Sequence, residues 1–193
     1  LRLVPLDAPD GRMRHLRLHN GTIWRWNRPL IGFDDDGTPH LRIEHRVLPA
    51  GPTVTDSIAN AAFFYGLVHA LATRDAAPEN TLPFATARDN FYAAARSGLD
   101  AHITWLDGRK VPVKSLLLDE VISLARYGLG LLEIDAADRD RYLDIVRQRI
   151  GNACTGAAWQ RAYAVRHACD MNALTEAYYQ RQESGLPVHD WSA

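Results

Sequence analysis

Cysteine is scarce in this chain: Cys154 and Cys169 are the two it has. A disulfide-built secreted scaffold is not expected, and a reducing cytoplasm is the expected location. No stretch approaches the run of about 18 apolar residues that a membrane-spanning helix needs, so no membrane role is expected. An excess of one charge is missing as well. Lys plus Arg is 22 and Asp plus Glu is 23, a net of −1 that gives no electrostatic reason to expect nucleic acid as a partner. The common catalytic patterns are absent: no G-x-x-x-x-G-K-[ST] phosphate loop, no G-x-G-x-x-G, no H-E-x-x-H and no G-x-S-x-G. Neither cysteine belongs to a C-x-x-C pair, which removes the usual structural zinc site. The opening Leu1-Arg2-Leu3-Val4-Pro5 lacks Met, a basic region and an apolar core, so it does not read as a signal peptide. The expectation is that the chain continues a longer one.

What is present is the composition of a folded protein. Over 193 residues, 47% are apolar and 23% charged, which points to a single domain spanning residues 1–193. Short segments of alternating polarity predict strands over 13–19, 22–28 and 40–48. His19-Asn20-Gly21 carries a hairpin signal, and Asp34-Asp35-Asp36-Gly37 before Pro39 reads as a second turn. From Thr53 on, the pattern becomes helical. Thr53 with Asp56 forms a capping-box pattern, and Val54, Ile58, Ala61, Ala62, Tyr65 and Val68 recur at helical spacing. Thr86 with Asp89 predicts a further cap, on a helix that Gly98 stops. A hairpin is expected around Asp107-Gly108, then helices over 115–132, 136–150, 156–168 and 171–183. The class is α+β: a small antiparallel sheet followed by a helical majority.

The segment with chemical content is His40-Leu41-Arg42-Ile43-Glu44-His45-Arg46-Val47-Leu48. Side chains alternate on a strand, so Leu41, Ile43 and Val47 are expected to face a core. Arg42, Glu44 and Arg46 then form a row spaced about 6.5–7 Å, twice the rise per residue. A carboxylate suits magnesium, and a guanidinium is a fixed bidentate donor to phosphate. The same row also describes a solvated ionic ladder worth little. On the preceding strand Thr22, Trp24, Trp26 and Arg28 share a face. The two tryptophans would either wall a pocket beside Arg28 or pack under helices while Arg28 reaches solvent. His15, Arg17 and His19 read as surface residues. Trp159 is expected to pack helix on helix, and Cys154 and Cys169 to sit as small apolar residues rather than nucleophiles.

Arg42-Ile-Glu44-His-Arg46 resembles the R-x-E-x-R strand signature of the glutamine synthetase-like ligase superfamily. Arg28-Pro29 ahead of it, and Gly51-Pro52-Thr53 leading into an alanine-rich helix, resemble the carboxylate-amine ligase branch of the glutamate–cysteine ligases. The stretch from Asn90 through Arg96 and Gly98 to Ala101, and Thr155-Gly156-Ala157-Ala158-Trp159-Gln160, are similar to the same branch. The resemblance implies an ATP-dependent carboxylate–amine ligase that forms a γ-glutamyl-type amide through an acyl phosphate. ATP is then a co-substrate and Mg2+ the cofactor, and the partners are small-molecule carboxylate and amine substrates. Residue by residue, it implies Glu44 as a magnesium ligand and Arg46 as the group that neutralises the transferring phosphoryl. Arg28 and Arg42 would contact substrate carboxylate or phosphate, and Arg96 would reach the same site. The sheet would be part of a glutamine synthetase-like sheet. The family also needs further carboxylates on upstream strands, and no strand here supplies them. This makes the chain an expected C-terminal half, inactive alone, whose missing N-terminal half is a partner; a homo-oligomer is compatible with this. The alternative is a non-catalytic module of the same fold that binds an anionic ligand or serves as an interaction surface.

Overall fold

The computed structural model describes residues 13–22, 24–48 and 50–192. The opening residues read above for a leader, together with Ile23 and Pro49, lie outside the described residues. The chain falls into two compact units, residues 1–49 and 50–193.

The first unit begins with a helix, α1 (Arg14–Thr22), where alternation predicts a strand. Leu16 and Leu18 alternate with polar residues, but Arg and Leu are helix formers and α1 has no β-branched residue before its last, Thr22. His19-Asn20-Gly21 accordingly closes the helix rather than a hairpin, and the Thr22 hydroxyl donates to the His19 carbonyl at 3.0 Å. Strand β1 (Asn27–Phe33) starts five residues later than expected and pairs antiparallel with β2 (Pro39–His45). The acidic turn forms as read. The Gly37 N–H donates to the Asp34 carbonyl at 2.8 Å, with Gly37 at φ +85, a region open to glycine. The expectation for the apolar side of β2 does not hold. Leu41 and Ile43 are 82% and 69% exposed, because a two-stranded ribbon has no second layer among the described residues to cover that face.

The second unit is helical. Thr53 caps α2 (Val54–Ala72), accepting from the Asp56 N–H at 3.1 Å. The proline-bracketed stretch holds one helical turn, α3 (Pro78–Thr81), and α4 (Phe84–Ser97) follows. Its cap is Pro83, not Thr86: the proline fixes φ at −56, so the chain enters the helix directly behind it. Gly98, at φ +55, ends it as expected. The hairpin β3 (His102–Thr104) and β4 (Lys110–Pro112) turns at Asp107-Gly108. Then α5 (Val113–Leu116) runs through a π-helical turn over Leu117–Val121 into α6 (Ile122–Leu131). Asp135 caps α7 (Ala136–Gly151), Thr155 caps α8 (Gly156–Arg166) and Asp170 caps α9 (Met171–Glu183). The α+β class with a helical majority stands.

The core of this unit lies between α2, α6 and α7, around Ala59, Ile122, Ala125, Leu129, Leu143 and Val146. The face of α2 that is buried is not the one its large apolar residues mark. Val54 and Tyr65 are 79% and 62% exposed, while Ala59, Gly66 and Ala70 are buried. Small side chains let α2 approach α6 so closely that a Cβ on Gly128 would overlap the Gly66 carbonyl oxygen. A Cβ on Gly66 would overlap the Ala125 carbonyl in the same way. Beyond α7, Trp159, Val188 and Trp191 form a second cluster with Tyr163, Leu174 and Tyr178, which makes Trp159 a packing residue as expected. Cys154 is half-buried there, with its thiol raised chiefly by burial, whereas Cys169 is exposed at φ +60 and does not pack as a small apolar residue. Among the described residues no helix is long and apolar enough to cross a membrane.

Gly128→Ala should destabilise the second unit by about 1–3 kcal/mol or more, since backbone cannot yield to the new methyl. Gly151→Ala, whose Cβ meets nothing within 4 Å, should leave the same urea midpoint nearly unchanged. Equal midpoints for the two variants would contradict the close helix crossing.

Candidate functional site

The strand register decides which residues meet on the ribbon. Arg28 stands opposite Glu44, and Leu30 opposite Arg42. Directly opposed residues share a face, so Arg28, Arg42 and Glu44 lie on one side, with Arg28 and Arg42 as diagonal neighbours. Leu41 and Ile43 lie on the other.

Glu44 is the hub of this face. Its Oε2 accepts from Arg46 Nη2 at 2.9 Å and lies 3.0 Å from Arg28 Nη2. The hydrogen bond from Arg46, followed by the charges of Arg28 and Arg46, holds the Glu44 carboxyl below its usual value. The Arg46 guanidinium also sits over the Trp24 ring, 5.0 Å from its centroid. This cation–π contact gives Trp24 a role different from either expectation. Trp24 packs edge-on against Trp26 at 5.7 Å, but neither tryptophan lines the cavity beside Arg28.

That cavity, of about 640 Å³, opens between α1 and the ribbon. Arg28 and Arg42 line it, and so do Arg14 and Arg17 of α1. The Nε of Arg28 is buried without a hydrogen-bond partner among the described residues. No ion pair holds Arg42 among them either. Gly32 keeps the wall thin: a Cβ there would overlap the His40 ring and approach Arg42 Nη2 to 3.1 Å.

The structure therefore brings Arg28, Glu44 and Arg46 into one bonded array, and Arg28 and Arg42 into one cavity. Arg96 lies in the other unit, exposed in the last turn of α4. The neighbouring Asn90 has an architectural task. Its side chain donates to the Thr104 carbonyl at 2.7 Å and accepts from the Thr104 N–H at 2.9 Å, fixing the β3 hairpin to α4. The α1 arginines escaped the sequence reading because the strand expectation placed Arg17 among surface residues. Their three-residue spacing, which stacks side chains on one helix face, was the available signal.

No group of three or more His, Cys, Asp or Glu gathers among the described residues. Glu44 is thus a single carboxylate with one oxygen committed to guanidiniums. That donor set suits magnesium only where phosphate oxygens and water complete the shell, the usual way this ion is held.

The family model for glutamate-cysteine ligase family 2 matches residues 12–187. The chain belongs to glutamate-cysteine ligase family 2. No curated protein and no solved structure matches it at a significant level. The family match takes in α1, the ribbon with its Arg28–Glu44–Arg46 array, and the helices through α9. It thus includes all the site residues read from the sequence.

Because Glu44 owes its lowered value to its arginine partners, the ionised pairing should persist down to and below pH 4.5, the carboxyl's ordinary value, and fail as pH falls through the lower folded value. A carbon-detected NMR titration of the Glu44 carboxyl should give a midpoint below 4.5 that moves back toward it in Arg46→Ala. A midpoint unmoved by that substitution would rule out the bonded array in solution.

Proposed function

We propose that this chain is the part of an ATP-dependent carboxylate–amine ligase that handles the phosphoryl group. The observation that carries the reading is the Arg28–Glu44–Arg46 array standing beside an arginine-lined cavity, on a chain of glutamate-cysteine ligase family 2. The reaction joins a glutamate-type side-chain carboxylate to an amine. A carboxylate oxygen attacks the γ-phosphorus of ATP, the bond to the bridging oxygen breaks and ADP leaves. The amine nitrogen then attacks the acyl carbon, the C–O bond to phosphate breaks, and the amine loses a proton as the amide forms.

Both steps move negative charge between oxygens, and such reactions are accelerated mainly by positioning and by fixed cations aimed at that charge. Arg46 is set for this work. Glu44 and Trp24 hold its guanidinium from two sides, so little reorganisation is needed when a phosphoryl group arrives. Arg28, with its unpartnered Nε, and Arg42 would orient the carboxylate or the phosphates. Magnesium, when bound, would neutralise phosphate oxygens, with the second oxygen of Glu44 as this chain's ligand. Among the described residues, a single carboxylate at the array and an uncovered apolar strand face favour a further half of the catalytic domain, which would supply more carboxylates and a covering layer. The reading places the activity in the cytoplasm, with small-molecule carboxylate and amine substrates.

In the complete ligase, Arg46→Ala should lower amine-dependent phosphate release by about 10³-fold or more while the helical signal stays unchanged. Phosphate release at the unsubstituted rate would refute the assignment. Magnesium-dependent ATP binding with no phosphate release from the unsubstituted ligase would favour a binding module of the same fold.

A further inference from the structure

The second unit has a cavity of its own. It measures about 320 Å³ and opens between α2, the end of α6 and the first turns of α7. Ile58, Ala61 and Ala62 of α2 form one side, and Leu132 and Ile134 of the α6–α7 connection form another. The connection reaches the cavity because the Ile134 N–H donates to the Leu129 carbonyl at 3.1 Å, which folds the chain back over the end of α6. Ile58, Leu132 and Ile134 stay exposed, so a concave apolar surface is left to water.

Among the described residues, the lining has two charged members, Asp138 and Arg139. They are consecutive on α7 and so project about 100° apart around it. The Asp138 N–H serves the Asp135 cap, while no hydrogen bond or ion pair engages the Asp138 carboxylate among the described residues. The Arg139 guanidinium rests against the last turn of α6, its Nη1 3.0 Å from where a Cβ on Gly130 would stand. Its Nε is buried without a hydrogen bond. The Asp140 Oδ1 lies 3.7 Å from that Nε, beyond hydrogen-bond reach, and is itself bonded by Arg126.

We propose that this cavity binds an α-amino acid with an apolar side chain. The ammonium pairs with Asp138, the carboxylate with Arg139, and the side chain enters between Ile58, Leu132 and Ile134. A ligand carrying one charge would leave the other lining residue unanswered, whereas a zwitterion meets both. The guanidinium offers paired N–H donors that match a carboxylate. The volume stands at the small end of the range for ligand cavities, which suits one amino acid. The cavity shares no residue with the Arg28–Glu44–Arg46 array, and the proposal does not rest on the ligase reading.

The test is a titration of the isotopically labelled chain with L-leucine, followed by backbone amide NMR. The amides of Ala61, Leu132 and Ile134 should shift saturably. Isocaproate lacks the ammonium and isopentylamine lacks the carboxylate, and each should bind about fivefold more weakly, the scale of an exposed ion pair. Glycine, with both charges and no side chain, should give no saturable shift. Asp138→Asn should weaken leucine binding about fivefold without weakening isocaproate, and Arg139→Gln should do so without weakening isopentylamine. A folding defect cannot imitate that matching of variant to ligand charge. Asp144→Asn, exposed on α7 outside the lining, should change nothing.

The proposal is overturned if leucine gives no saturable shift, or if the shifts map away from the cavity. It is overturned equally if isocaproate and isopentylamine bind as tightly as leucine, which would make the groove merely apolar. Amide shifts that follow chain concentration and ignore leucine would mean that a second copy occupies the groove, and would also end it.

Discussion

The second unit is organised around one buried charge. Asp56 is fully buried in the first turn of α2, and three separate parts of the chain converge on it. The Thr53 hydroxyl donates to its Oδ2 at 2.9 Å, and the Val188 N–H donates to the same oxygen at 3.1 Å. Arg149 of α7 stands 3.5 Å from Oδ1 and also bonds Asn60 at 2.7 Å. A buried carboxylate is tolerable only with such partners, and removing one of them leaves an uncompensated charge costing about 3–5 kcal/mol. The pairing therefore fixes where α2 begins, how α7 lies against it, and where the C-terminal turn returns. The field of Asp56 also reaches the aromatic cluster, adding to the burial that raises Tyr178 and Cys154.

This hub gives physical meaning to the family-like motifs outside the ribbon. Gly51-Pro52-Thr53 is the approach to the hub. A Cβ on Gly51 would come within 2.5 Å of the Ser57 nitrogen, so the chain must be bare there to fold back over the helix start. Pro52 in turn meets the second motif, since a Cβ on Gly156 would lie 2.8 Å from Pro52 Cγ, and Gln182 donates to the Pro52 carbonyl at 2.9 Å. The Asn90–Ala101 stretch supplies the Asn90 clasp and a buried Ala101. These motifs are joints between helices. Under the proposed function the chemistry falls to the ribbon, where charged side chains face one another instead of a core.

The sequence was most legible where one side chain decides a local geometry. Thr53, Asp135 and Asp170 cap their helices because a short oxygen acceptor reaches the orphan N–H groups, an effect needing no tertiary context. The shared face of Arg42 and Glu44 was legible for the same reason, since alternation is a property of the strand alone, whereas Arg46 lies just past the end of β2. Legibility failed where two periodicities compete, as in α1, whose leucines alternate on helix-forming residues. It failed again on α2, apolar on nearly every face, where the choice of buried side rests with its own Gly66 and with Gly128 of a helix far away in sequence. That Glu44 would be bonded by both Arg28 and Arg46 required the β1–β2 register, which no single strand encodes.

The ribbon carries two separate imbalances, and they point the same way. On one face, Leu41 and Ile43 expose large apolar side chains that water solvates poorly. On the other, among the described residues, the one carboxylate of Glu44 faces Arg28, Arg42 and Arg46, more positive charge than it can neutralise. A bound polyphosphate would relieve the second imbalance but leave the first untouched. An apolar layer would cover the first and leave the arginines unbalanced. Under the proposed function, a further part of the ligase that brought apolar side chains to one face and carboxylates to the other, with the nucleotide held between, would answer both at once. On this reading, the ribbon's exposure and its excess charge have one cause: a surface built to be shared between protein and substrate.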